Sequence, residues 1–139
     1  MTVEAKLKFP SFKAGDAIEV KYMQNKTTKK VQLVRGVVLG KSNKGLGTNF
    51  KMRNIIGGIP VEWQYALYSP LLKGIRVLQE DFIHKGKKRT RRSKIYYLRD
   101  RPDSWSTVTA DFAKAMTLKN NSAAAKAAAA AKKAKTAAA

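Results

Sequence analysis

The stretch GDAIEVKYM, residues 15–23, decides which class of fold this chain can adopt. It opens with a Gly-Asp pair, which is a turn signal. The apolar residues Ile18, Val20 and Tyr22 then alternate with charged ones. A period of two places the apolar side chains on one face of a β-strand and the charged ones on the other. The sequence therefore predicts a strand with one buried face directly after this turn.

Short apolar segments recur along the chain about every ten residues, separated by turn signals. We expect a corner or a short helical turn at Leu67–Leu72, because Pro70 interrupts any strand ladder. Five or six short strands at this spacing predict a mainly β fold, a small β-barrel. After the first strand, the predicted strands are 31–39, one beginning at Phe50, 61–65, 75–82 and 94–99.

The two ends of the chain differ in composition from this central part. Residues 1–14 are predicted to be an irregular N-terminal extension, 15–101 the barrel and 102–139 a C-terminal extension. A short helix is expected around Ala110–Met116. Residues 123–139 contain twelve Ala, four Lys and one Thr. High helix propensity competes there with the lack of an apolar face to bury, so we expect a surface extension that is either helical or disordered. If it is disordered, docking to RNA is expected to make it helical.

Charge is the strongest indication of a binding partner. The chain has 29 Lys and Arg against nine Asp and Glu, a formal net charge of +20. Seven of these cations lie in the basic segment, residues 85–94, with the sequence KGKKRTRRSK. Such a run repels itself unless a polyanion supplies counter-charge. If six to eight cations neutralise phosphates, affinity should fall with salt with a log–log slope of about −5 to −7.

Several other classes of function lack sequence support. The chain has no Cys, which excludes disulfides, thiolate metal sites and cysteine nucleophiles. No apolar stretch approaches the roughly 20 residues that a membrane-spanning helix needs. Residues 1–12 have no signal-peptide apolar core and too little Arg and Ser for an ordinary transit peptide.

Catalysis has few candidates. The single histidine, His84, has no Cys, Ser or Asp motif beside it and is expected to be a surface loop residue. The pair Glu80-Asp81 could hold Mg²⁺, but adjacent strand residues face opposite sides, so we expect it to pair with nearby Lys or Arg. A metal-dependent nuclease built on this pair and Asp100 stays an alternative hypothesis. Gly45-Leu46-Gly47 lacks the other residues of a P-loop and is expected to be a plain loop.

Three aromatic residues could in principle stack on unpaired bases. In a strand, alternation would put one of Tyr96 and Tyr97 in the core and the other outside, so at most one could stack. Trp63 is expected to belong to the core or the barrel edge. Phosphate contact is therefore the prediction, and base recognition stays open.

Several motifs in order give the chain a resemblance. Residues 9–100 resemble ribosomal protein nineteen of the bacterial-type large subunit, with family-like order and spacing. Each motif alone is weak, but six in register are specific. The motifs are FKAGD (12–16), VQLVRGVV (31–38), TNFKMRNI (48–55), GIPVE (58–62), LYSP (67–70) and RRSKIYYLR (91–99).

This resemblance implies an SH3-like barrel with a basic hairpin that binds large-subunit ribosomal RNA near the intersubunit face. It further implies a structural, non-catalytic role with no cofactor or metal, neighbouring ribosomal proteins as partners, and small-subunit RNA across a bridge. The chain departs from the family pattern in having Arg35 instead of an acidic residue and a longer stretch between Val77 and Tyr96. The predicted RNA contacts are Lys41, Lys44, Arg53, Lys85, Lys87, Lys88, Arg89, Arg91, Arg92, Lys94 and Arg99.

Residues 100–107 continue the chain in a way that is similar to mitochondrial members, which predicts a mitochondrial ribosome, with a plastid or bacterial ribosome as alternatives. A competing function is a free-standing nucleic-acid-binding adaptor with the same barrel. It differs in predicting exchangeable binding to many nucleic acids instead of stoichiometric recovery with ribosomal RNA.

Overall fold

The computed structural model of this chain describes the backbone of residues 9–137 and the side chains of residues 9–134. Residues 1–8 of the predicted N-terminal extension lie outside the described part. Within it, antiparallel strands form a five-stranded sheet in the order β4-β3-β2-β1-β5, which confirms the mainly β class. The strands are β1 (Ala17–Met23), β2 (Val31–Ser42), β3 (Asn49–Ile56), β4 (Ile59–Ala66) and β5 (Leu72–Gln79).

The sheet curls around one apolar core. β1 pairs with β2 on one side and with β5 on the other, and the alternation in β1 puts its apolar residues on the face that meets the core. The rings of Tyr22 in β1 and Tyr65 in β4 lie 5.0 Å apart, although two strands separate them in the sheet. Phe12 packs edge-on against Phe50 at 5.1 Å. Ile18 and Val20 are fully buried, and Trp63 is partly buried against the same core, as predicted.

The predicted strand 94–99 is wrong. Only Lys94 forms an isolated bridge, to Gly40, and Tyr96–Asp100 is a 3-10 helix. The physical reason is the spacing of the apolar residues, since Ile95 and Leu98 are three apart and a 3-10 helix places them on one face. Both are fully buried. The same geometry turns the two intervening tyrosines away from the core.

The basic segment consequently does not form the predicted hairpin. β5 ends at Gln79, short of the predicted end at residue 82, and a 3-10 turn follows at Phe82–His84. Asp81 and Lys85, at the two ends of that turn, have φ of +50° and +53°, which no strand accommodates. The chain therefore leaves the sheet before the basic segment begins.

The chain divides between Thr109 and Ala110 into two compact units. In the first unit, residues 102–109 are attached to the sheet by Asn54 of β3. The Asn54 amide donates to the carbonyl of Val108 at 3.1 Å and its carbonyl accepts from the Val108 N–H at 2.9 Å. Both bonds join buried groups, so they fix Val108 to β3.

The second unit is a single helix, α1 (Ala110–Ala137), of 28 residues. It contains the predicted short helix and extends it through most of the Ala/Lys tail. Alanine has the highest helix propensity, which accounts for the extension without an apolar face. Among the residues described, neither this helix nor any other is both long and apolar enough to cross a bilayer.

Candidate nucleic-acid interface

The basic segment is held by a buried carboxylate in the turn that precedes β1. Asp16 is buried and accepts hydrogen bonds from the backbone N–H of Asp81 at 3.1 Å and of Lys13 at 2.9 Å. The Phe82 N–H donates to the Gly15 carbonyl at 2.9 Å. The turn signal that opened the predicted strand therefore also fixes the chain just before the basic segment.

Thr90 anchors the middle of the segment at the same place. Its N–H donates to Asp81 Oδ1 at 3.4 Å, and Asp81 in turn forms an ion pair with Lys13 at 3.5 Å. A Cβ on Gly15 would lie 2.6 Å from Thr90 Oγ1, and Gly15 has φ of +97°. Glycine is required there both for the backbone conformation and for the close approach of Thr90.

The far end of the segment is attached to β2. The Ile95 N–H donates to the Leu39 carbonyl at 2.8 Å, and Lys94 Nζ donates to the Lys41 carbonyl at 3.1 Å. The Lys94 stem lies against Gly40, where a Cβ would meet Lys94 Cδ at 2.8 Å. The segment is thus fixed at its beginning, middle and end, and its charged side chains project from a folded base.

Six cations of the segment face solvent. Among the described residues, none of the six has a carboxylate oxygen within 4.0 Å, so their charge is left for an external anion. These residues are Lys85, Lys87, Lys88, Arg89, Arg91 and Arg92.

Arg53 and Arg99, by contrast, share one carboxylate. Glu62 accepts two hydrogen bonds from Arg99 at 2.7 Å and one from Arg53 at 3.2 Å. The hydrogen bonds from Arg99, ahead of the contribution of Arg53, lower the pKa of Glu62, and the same bonds raise the pKa of Arg99. Arg53 is 7% exposed. A buried, paired guanidinium is poorly placed for a phosphate, so we leave Arg53 out of the proposed interface.

A second carboxylate neutralises two cations on the sheet itself. Glu19 is buried at 4% exposure and accepts from Arg35 at 2.7 Å and from Arg76 at 2.8 Å. The register explains the arrangement, because Glu19 lies opposite Arg35 in β2 and opposite Arg76 in β5. Arg35, which departs from the family pattern, therefore does form an ion pair, and its partner is Glu19 of the neighbouring strand β1.

The glycine-rich loop contributes two cations of different character. Lys41 Nζ lies 4.7 Å from the Phe12 ring centroid, whereas Lys44 is exposed just before the 3-10 turn Gly45–Gly47. Gly45 has positive φ, as a tight loop requires. Lys44 is thus open to an external phosphate, whereas Lys41 lies over a ring of the core.

Beside the basic segment lies an open cleft of about 440 Å³ that combines cations and aromatic rings. Tyr96 is exposed and Tyr97 is only partly buried, so the prediction that one of them lies in the core is wrong. Tyr97 lines the cleft, whereas Tyr96 does not. The side chains of Lys51 and Arg99 lie over the Tyr96 ring. Trp105 and Arg101 also line the cleft and were missed from the sequence, although a Trp soon after a cation-rich stretch is a usable signal.

The groups considered for catalysis do not converge. His84 lines the cationic cleft, and Asp81 is engaged with Lys13 and with the Thr90 backbone, as expected for a carboxylate paired with a nearby cation. No group of three or more His, Cys, Asp or Glu that could hold a metal ion occurs within the described part of the chain. The nuclease hypothesis gains no geometric support from these positions.

Comparison with known proteins shows similarity to a ribosomal protein family. The family model described as Ribosomal protein L19 matches residues 1–110, a range that includes the basic segment and its base. A similar curated protein is the Large ribosomal subunit protein bL19cy of Arabidopsis thaliana, which is 33% identical over 98 residues. The matched part is 70% of this chain and 40% of that relative, so the chain spans less than half the relative's length.

Proposed function

The chain belongs to the ribosomal protein L19 family, and on this premise we propose that it is a structural constituent of the large ribosomal subunit that binds ribosomal RNA through the basic segment. The observation that carries the proposal is the row of six solvent-facing cations without carboxylate partners, fixed to the sheet through Asp16, Asp81 and Thr90. When such a row of cations binds RNA, it releases the counterions of the phosphates, and this favours binding independently of base sequence.

The proposed RNA contacts follow from which cations are available. They are the six solvent-facing residues of the basic segment together with Lys44, Lys94 and the exposed face of Arg99. Lys94 precedes the 3-10 helix that holds the two tyrosines, and Arg99 lies in the last turn of that helix, which extends the basic surface beyond the segment. Contacts with neighbouring ribosomal proteins and with small-subunit RNA across a bridge are part of the same proposal.

The compartment is proposed on sequence grounds. The likeness of residues 100–107 to mitochondrial members favours a mitochondrial ribosome over a plastid or bacterial one. Fractionation of cells that express the tagged protein tests this choice. Recovery with mitochondrial ribosomal RNA supports it, and recovery with plastid or bacterial ribosomal RNA contradicts it.

Co-sedimentation tests the proposed function. Tagged protein should migrate with large subunits through a sucrose gradient in moderate salt, stoichiometric with ribosomal RNA, and be released only in high salt. A variant with Arg91 and Arg92 changed to Gln should associate less while retaining wild-type thermal unfolding, because both side chains are exposed. Recovery of the wild-type protein wholly in the ribosome-free fraction would contradict the proposal.

The free-standing adaptor makes the opposite prediction in the same experiment. It would bind many RNAs or DNAs in an exchangeable way, so the purified pool would carry mixed nucleic acid. Sequencing the RNA and DNA that remain bound at moderate salt separates the two functions.

A further inference from the structure

We propose that the cleft between the basic segment and residues 97–105 binds a single unpaired nucleotide of the RNA, with its base stacked on Tyr97 or Trp105 and its phosphate held by arginines of the basic segment. This deepens the proposed function and rests on it. The cleft is lined by Arg89, Arg91, Arg92, Tyr97, Arg101 and Trp105, among others.

The two rings are arranged around one guanidinium. Arg101 Cζ lies 5.9 Å from the Tyr97 ring centroid and 5.4 Å from the Trp105 ring centroid. Arg92 Cζ lies 6.0 Å from the Tyr97 ring centroid. A planar cation over two aromatic faces occupies the kind of position that a nucleobase takes when it stacks on a protein.

The rings are accessible and Arg101 is free to move away from them. Trp105 is 39% exposed, and Tyr97 is half-buried at the wall of the cleft. Arg101 is exposed, and no carboxylate of the described residues lies within 4.0 Å of it. An entering base can therefore displace this guanidinium from a ring, and the displaced Arg101 can contact the nucleotide's phosphate.

The chemistry selects an unpaired nucleotide over a duplex or an acidic peptide. In a duplex, the faces of the bases are covered by their neighbours, and only bulged or looped bases present a face to an aromatic side chain. An acidic peptide would satisfy the cations but would leave the two rings without a planar partner. The cleft volume of about 440 Å³ is within the size range of small-ligand sites.

The backbone supports this geometry from both sides. Thr90, between the segment's arginines, is anchored to Asp81, and the Trp105 N–H donates to the Pro102 carbonyl at 3.1 Å. The Arg101 N–H donates to the Leu98 carbonyl at 3.2 Å, directly after the turn that holds Tyr97. One wall is thus attached through Asp81 to the buried Asp16, and the other is attached to the buried Leu98.

The test compares two RNAs that differ by one unpaired base. The full chain is titrated with an RNA hairpin that carries one bulged 2-aminopurine and with the same hairpin lacking the bulge. We expect about tenfold tighter binding to the bulged RNA, since stacking on an aromatic side chain contributes roughly 1–3 kcal/mol per base. At least one of the changes Trp105→Leu and Tyr97→Leu should reduce this preference by about fivefold or more, without changing affinity for the paired RNA.

Two further variants serve as controls. Trp105→Phe should retain most of the preference because it keeps an aromatic face. Tyr96→Leu should retain all of it, since Tyr96 is a neighbour in the same 3-10 helix but does not line the cleft. In a Trp63→Phe background, Trp105 is the remaining tryptophan of the chain's two, and its fluorescence should be quenched by the bulged RNA alone.

The outcomes separate this inference from the proposed function. Wild-type protein that binds both RNAs equally, or leucine variants that keep the full preference for the bulged RNA, would overturn the nucleotide site while leaving RNA binding intact. Wild-type protein that binds neither RNA at moderate salt would overturn both.

Discussion

Arg35 and Arg76 of the sheet and Arg91 and Arg92 of the basic segment are the same residue type in opposite situations. The first two lie on either side of the buried Glu19 carboxylate, at 2.7 and 2.8 Å. The second two face solvent, and no carboxylate oxygen of the described residues lies within 4.0 Å of either. A guanidinium whose charge is satisfied inside the protein contributes to folding, whereas one left unsatisfied contributes to binding a polyanion.

The difference also shows how so basic a chain folds. Four of the nine carboxylates lie where cations meet the sheet, at Glu19 and Glu62, or where the basic segment is anchored, at Asp16 and Asp81. Most of the excess positive charge is left on the periphery. Mutations among the paired cations of the sheet should therefore change stability, and mutations in the basic segment should change RNA affinity.

The largest effect is expected from removing the unpaired charges. Changing Lys87, Lys88, Arg89, Arg91 and Arg92 to Gln should weaken binding to large-subunit RNA about 10²- to 10³-fold near physiological salt, because five fewer counterions are released. Thermal unfolding should be unchanged or slightly improved, because like-charge repulsion is relieved. Filter binding and calorimetry on the same preparations measure the two effects.

Glu19→Gln tests the paired cations of the sheet. It removes the charge shared by Arg35 and Arg76, and we expect about 2–3 kcal/mol lower free energy of unfolding, less than for a fully buried pair because Arg76 is half-exposed. RNA affinity at a temperature where the variant is folded should not decrease. A large loss of RNA affinity in the folded variant would mean that the sheet cations also serve binding.

Gly15→Ala tests the base of the basic segment. The added Cβ would approach Thr90 Oγ1 to 2.6 Å at a residue whose φ is +97°. We expect a loss of about 1–2 kcal/mol in stability and faster hydrogen exchange in residues 81–92. Gly47→Ala is the matched control, because its nearest neighbouring atom would be an ordinary 3.7 Å away. Equal exchange rates in both variants would show that Thr90 is not an anchor.

The smallest effect is expected at Glu62, and it depends on pH. Its pKa is lowered from the ordinary value of 4.5, chiefly by hydrogen bonds from Arg99. A carboxylate with a lowered folded-state pKa stabilises the protein above its unfolded pKa and loses that contribution as the pH falls through the folded value. Glu62→Gln should therefore cost up to about 1 kcal/mol at pH 7, since the pair is partly screened by water.

The cost of Glu62→Gln should decline as the pH falls below the ordinary value of 4.5, and it should vanish once the pH has passed the lowered pKa at which Glu62 is protonated in the folded protein. Urea unfolding of both proteins between pH 3 and 7 measures this convergence. A constant difference over that range would assign the effect to packing instead of to charge.

The parts of the fold that could be predicted from the sequence are those with a clear period. Alternation at Ile18, Val20 and Tyr22 indicates β1, and the same residues form the core. The segment Ile95–Leu98 could not be assigned in this way, because four consecutive apolar residues fit a strand or a helical turn equally well. Its outcome depended on tertiary contacts, with Ile95 and Leu98 buried under β2 and its neighbours.

For the candidate site, the sequence indicated the charges but not their pairing. The basic segment was recognisable from composition alone, whereas the pairing of Arg53 with Glu62 depends on cross-strand register in β3 and β4. The cleft was missed because it too depends on tertiary structure. Trp105 and Arg101 meet Tyr97 only because residues 95–105 fold into successive 3-10 turns, which no periodicity announced.

The most direct test of the claim that unpaired cations on a folded base bind RNA is the salt dependence of binding. Affinity for a large-subunit RNA fragment is measured between 50 and 400 mM KCl for the wild-type protein and for the five-Gln variant. We predict a log–log slope of about −5 to −7 for the wild type and a slope shallower by about 3 to 5 for the variant. Identical slopes would show that the basic segment does not contact the RNA phosphates and would contradict the account.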